Sequence, residues 1–175
     1  YLGNYGLFGG GSSNRAASDI FVYGNYAYVL LKDNGSYPER LVIYDISDPS
    51  SPWIKGGLDI RSSADGSNSC SQVKIKGDYA YIANGYGDMV IVDVSNKGNP
   101  GPKYSVSGLL GATMSFDFKG DKIYTGSNHG EIGIVDISSP TSPMVDNPGV
   151  DVGDNIQDVK ICGEYAYLAD FNNEK

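Results

Sequence analysis

Three aspartates close short apolar runs in this 175-residue chain: Asp45 in LVIYD, Asp93 in MVIVD and Asp136 in IGIVD. Carboxylates of this kind could do acid–base work, but such chemistry needs one carboxylate or a close pair. Copies 48 and 43 residues apart, each leading into Ile-Ser or Val-Ser and then Pro, form a repeated structural unit instead. Their expected task is to cap the turn, with the carboxylate accepting backbone N–H groups just downstream. Four tyrosines, Tyr28, Tyr81, Tyr124 and Tyr167, recur in the same way. Tyr offers a flat face and a polar tip to a glycan or aromatic ligand. Their alternation with Ala in three of the four copies favours packing inside a strand, as core residues of the repeat.

Other candidates are weaker. Asp151, Asp154, Asn155 and Asp158 in DVGDNIQD could supply oxygens to Ca²⁺, but they lack the Gly-anchored spacing of a calcium loop, so a solvated loop is the favoured reading and no cofactor is expected. His129, the one histidine, has no Ser or Cys partner at a recognisable spacing and reads as a turn residue. Cys70 and Cys162 are too few for a disulfide framework and are not spaced for zinc; a bridge between them is not expected. Asn34 in NGS fits both a glycosylation sequon and a tight turn. The Gly clusters at 9–11 and 56–57 have no strand-to-helix context for phosphate. Tyr1 and Tyr5, flanked by Gly, are candidate surface contacts.

The elements behind these residues are legible from a second landmark. The runs DIFVYGNYAYVL, QVKIKGDYAYIA, SFDFKGDKIYTG and DVKICGEYAYLA each place Gly and a polar residue between two alternating stretches, the mark of two strands joined by a tight turn. The glycines are Gly24, Gly77, Gly120 and Gly163, spaced 53, 43 and 43 residues apart. The excess in the first unit falls in two polar insertions, within 31–40 and 60–70, while strand lengths are kept. With an acid-ending third strand and a weaker fourth after the Pro turn, each unit reads as four strands. A period of about 43 residues with four strands predicts an all-β propeller, because one such sheet cannot cover both its faces. The expected units are an outer strand over 1–11, blades over 17–60, 71–107 and 114–150, and the first half of a blade over 156–175. Six to eight blades need roughly 260 to 340 residues, so these units are expected to be part of a larger ring. A small ring, or an arc completed by a second copy, is the alternative.

The LVIYD, MVIVD and IGIVD segments, with GNYAYV, GDYAYI and GEYAYL upstream, resemble the LVIVD-repeat family of bacterial and archaeal surface proteins. That resemblance implies a β-propeller in an exported or surface-displayed protein, and no defined enzyme activity. The third unit departs from the pattern with GDKIYTG, and a looser blade is expected there.

Composition agrees with short strands and turns: 24 Gly and 14 Tyr against one Trp. A formal charge of −8 argues against nucleic acid, and no apolar run approaches the length of a spanning helix. The reading that follows is a non-catalytic extracellular or cell-surface module for protein or glycan contact or surface assembly, with self-assembly a further possibility. The competing reading is part of a propeller enzyme with its active site in a central channel. Asp19, Gln72, Ser115 and Asp158, at the entry of each first strand, would be its channel-mouth positions.

Overall fold

The computed structural model of the protein describes residues 16–32, 40–60, 70–85 and 88–171, and within them every regular element is a β-strand. The first unit comprises β1 (Ala17–Tyr23), β2 (Tyr26–Leu31), β3 (Arg40–Asp45) and β4 (Trp53–Asp59). The second has β5 (Cys70–Lys76), β6 (Tyr79–Asn84), β7 (Asp88–Asp93) and β8 (Lys103–Val106). The third has β9 (Thr113–Lys119), β10 (Lys122–Ser127), β11 (Glu131–Asp136) and β12 (Met144–Asp151), and a fourth holds β13 (Ile156–Cys162) and β14 (Tyr165–Asp170). Each unit is a meander in which sequential strands pair antiparallel, giving three four-stranded sheets and one two-stranded sheet. The outer strand expected over 1–11, Tyr1, Tyr5, Asn34 and most of both insertions lie outside the described residues.

The first hairpin of every unit turns on its glycine. Gly24, Gly77, Gly120 and Gly163 sit at φ between +55° and +60°. No other residue type among the described residues has positive φ, so the following Asn25, Asp78, Asp121 and Glu164 keep negative φ. Gly at the first of two turn positions is the pattern of a type II′ turn, whose twist matches that of the flanking strands. A Cβ there would meet nothing within 4 Å, so the demand for Gly is conformational and not steric.

Alternation sends each sheet's residues to two faces, and both faces of the second unit are apolar. The trailing face of the first unit (Tyr28, Leu30, Leu41, Ile43) packs on Val73, Ile75, Ala80 and Ile82 of the second. Tyr81, Ala83, Met89 and Ile91 of the second pack on Phe116, Ile123 and Val135 of the third, with Phe118 edge-on to Tyr81. Burial of each such side chain contributes roughly 1.5–3 kcal/mol, so the sheets are held face against face and not singly. First strands of successive units neighbour each other: β1 packs on β5, β5 on β9 and β9 on β13. This is the stacking of propeller blades. No helix among the described residues is long and apolar enough to cross a membrane.

The third junction is built differently. Gly126 stands where the first two units have Leu30 and Ala83, and a Cβ on it would lie 2.4 Å from Ile156 and 2.7 Å from Val159. Ile156 and Val159 are fully buried in the room this leaves. The departure GDKIYTG is therefore a close approach between third and fourth units.

Candidate functional site

The acid-ending strands lead into capped turns. Asp45 Oδ1 accepts the Ser47 N–H at 3.1 Å and its hydroxyl at 2.6 Å; Asp93 and Asp136 each accept a serine N–H, from Ser95 and Ser138, at 2.8 Å. The serine hydroxyls and N–H groups hold the Asp45 and Asp93 carboxyls below the usual carboxylate range. Asp136 is held lower still, chiefly by Lys122, which also pairs with Asp146. Ion pairing in turn pushes the Lys122 ammonium up. Asp48 repeats the cap on Ser50 two residues further on.

The tyrosines divide. Tyr28 and Tyr81 are buried, and desolvation pushes both hydroxyls up to about 12. Tyr124 is half-buried, facing the polar third junction. Tyr167, expected in the core, is 59% exposed, because no described residue covers the trailing face of β13–β14.

The most organised polar constellation runs along the first strands. In all four units the register slips by one residue, between 17 and 19, 70 and 72, 113 and 115, and 156 and 158. A bulge bends its strand and re-aims the side chain beside it. Here that side chain is Asp19, Gln72, Ser115 or Asp158, and the first three reach the next unit. Asp19 Oδ2 accepts the Val73 N–H at 2.8 Å, Gln72 Oε1 accepts the Phe116 N–H at 2.8 Å, and Ser115 Oγ accepts the Val159 N–H at 2.7 Å. Ser115 donates in turn to Asp158 Oδ1 at 3.0 Å. These N–H groups point away from their own sheets; those of Val73 and Phe116 depend on the neighbour for an acceptor, while that of Val159 is shared with Asp158 Oδ1 at 2.9 Å. Carboxylate, amide and hydroxyl all supply what the place requires, a short acceptor. Asp19, Gln72 and Ser115, the expected channel-mouth positions, each bond to the neighbouring blade beside the bulge.

Two residues further along, lysines extend the seam. Lys74 Nζ donates to the Phe116 carbonyl and pairs with Asp117 at 2.9 Å. Asp117 accepts the Ile161 N–H at 2.9 Å and pairs with Lys160 at 3.1 Å. Burial alone would raise the Asp117 carboxyl, but the Ile161 N–H and the two ammonium groups bring it down to about 2. On the outer side, Lys76 reaches the Gly120 carbonyl and Asp121, and Lys119 reaches Glu164.

The other sequence candidates are dispersed. Among the described residues no group of three or more His, Cys, Asp or Glu is placed to hold a metal. Asp158 faces the seam, while the N–H groups of Asp154 and Asn155 turn to Asp170. His129 is exposed, with its N–H on Ser127 Oγ. Cys70 is buried in the first junction and Cys162 is exposed on the fourth unit.

Four-stranded meanders stacked face to face and stitched at their first strands define a β-propeller repeat protein. The LVIVD repeat family is matched at residues 14–59, 67–107, 110–146 and 153–174, and the chain belongs to that family. No curated protein matches the chain. Among solved structures it is similar to the computationally designed Ika4 protein, at TM-score 0.64 and 14% identity over 90% of this chain and 86% of that one. It is also similar to the N-terminal domain of Nup159, at TM-score 0.55 and 11% identity, covering 91% of this chain and 41% of that one. At these identities the likeness concerns the fold alone.

Proposed function

We propose that the chain is a non-catalytic propeller module, displayed outside the cell, that contacts protein or glycan partners. The observation carrying this reading is what the recurring polar residues do. Asp45, Asp93 and Asp136 close turns, and Asp19, Gln72 and Ser115 join blades. A recurring residue committed to scaffolding leaves ligand contact to what differs between units, and the sequence differs most in the polar insertions within 31–40 and 60–70. The acidic, Gly- and Tyr-rich composition supports an exterior location. Purified protein is tested on a glycan array and against surface extracts of the source cells, beside a variant with both insertions cut to short Gly-Asn turns. Loss of binding in that variant is the expected result. Unchanged binding places the contact elsewhere, and turnover of any hydrolysable substrate overturns the non-catalytic reading.

A further inference from the structure

Each junction sets a trailing face on a leading face, and the two types have separate residue patterns. Trailing faces carry Asp19, Phe21 and Tyr28 in the first unit and Gln72, Lys74 and Tyr81 in the second. Leading faces carry Val73, Ile75, Ala80 and Ile82 in the second unit and Val159, Ile161, Ala166 and Leu168 in the fourth.

Two faces are left partly open among the described residues, one of each type. On the leading face of the first unit Ile20 and Val22 are 59% and 57% exposed, while Val29 is half-buried and Ala27 is buried. The fourth presents a trailing face of Asp158, Lys160, Tyr167 and Tyr165, whose tyrosines are 59% and 71% exposed. Each has buried counterparts within the chain. Ile20, Val22, Ala27 and Val29 repeat the apolar quartet of the second and fourth units almost residue for residue. Asp158 stands at the place of Asp19, Lys160 at that of Lys74 and Tyr167 at that of Tyr81.

We propose that two copies of this chain associate head to tail, the leading face of one first unit docking on the trailing face of the other's fourth unit. The internal junctions specify the contacts. Asp158, whose Oδ1 is held by Ser115 and the Val159 N–H, offers Oδ2 to the Ile20 N–H as Asp19 does to that of Val73; Lys160 exchanges its exposed pair with Asp117 for the Ile20 carbonyl, as Lys74 holds that of Phe116; and Tyr167 packs on Val22. Such a contact is heterologous, so it gives a ring if the rotation closes and longer oligomers if it does not. It does not depend on the function proposed above.

The test is sedimentation velocity of the 175-residue chain from 1 to about 300 μM at about 150 mM salt, where the charge of −8 is screened. Two variants accompany it: Ile20→Lys with Val22→Lys, and Tyr167→Glu. All three sites are more than half exposed in the single chain, and far-UV circular dichroism shows whether the fold is kept. Expected is concentration-dependent association of the wild type, weakened roughly 30-fold or more by either variant. An equimolar mixture of the two variants recovers mixed dimers, because each retains the face that the other lacks. Cys162, exposed on the same trailing face, is labelled by maleimide more slowly as wild-type concentration rises. A wild type that stays monomeric over the whole range overturns the proposal, as does association without complementation in the mixture, which marks a contact of like faces.

Discussion

Asp117→Asn isolates the polar device of the third junction. The Asp117 side chain is 11% exposed and accepts from the Ile161 N–H, Lys74 and Lys160. Asparagine keeps the shape and one acceptor, and loses the charge that answers two ammonium groups. Lowering the carboxyl from 3.8 to about 2 corresponds to about 2 kcal/mol of folding stability at neutral pH. Leaving the Lys74 ammonium, only 15% exposed, without its counter-charge brings the expected loss to about 2 to 3 kcal/mol. The folded value is depressed, so this stability is present above the unfolded value of 3.8 and is lost as pH falls towards 2. Urea unfolding of wild type and variant at several pH values measures the gap. A gap of that size at pH 7 that closes near pH 2 is expected. A gap below about 0.5 kcal/mol at pH 7, or one equal at both ends, refutes the reasoning.

Other outcomes follow from the same geometry. Lys160→Met, at an ion-pair partner 69% exposed, costs under about 1 kcal/mol in the same assay, whereas Lys74→Met costs more. Gly126→Ala drives a methyl into Ile156 and Val159 and costs about 1 to 3 kcal/mol from overpacking; Gly77→Ala, with open space at +59°, costs only about 1 kcal/mol in backbone strain, as thermal melts of the two will rank. Tyr28 Oη is buried with no partner among the described residues, so Tyr28→Phe changes stability by under about 0.5 kcal/mol while Tyr28→Ala costs roughly 3 to 5. Tyr28 and Tyr81 hold their protons to about 12 when folded, so stability falls as pH rises past 10, where the unfolded phenols ionise first; alkaline difference spectra report late-titrating tyrosines.

Much of this architecture could be read from the chain because it repeats. The hairpin glycines and the acids before Ser fixed unit length and strand count, and the strand ends lie close to those positions. The seam was only half legible. Polarity at Asp19, Gln72, Ser115 and Asp158 was visible, but the direction of those side chains depends on a one-residue bulge that Ser18, Ser71, Met114 and Gln157 share with no common residue type. Their place at the entry of each first strand, with their polarity, suggested a channel mouth, and the bonds across the seam were not visible. Tyr167 misled for a related reason, since sequence shows its kinship with Tyr81 but burial depends on a neighbouring blade. The role of Gly126 was likewise hidden, because a close approach is a property of two segments and not of one.

The blade-to-blade seam is tested most directly by amide hydrogen exchange, followed by NMR, at Val73, Phe116 and Val159. All three lie on first strands, at sheet edges, with N–H groups aimed away from their own partner strands. Strong protection at the three sites, with Gln72→Ala releasing Phe116 while Val73 and Val159 remain slow, is the predicted result. Exchange at these amides as fast as at exposed strand edges would mean that the sheets do not meet along their first strands.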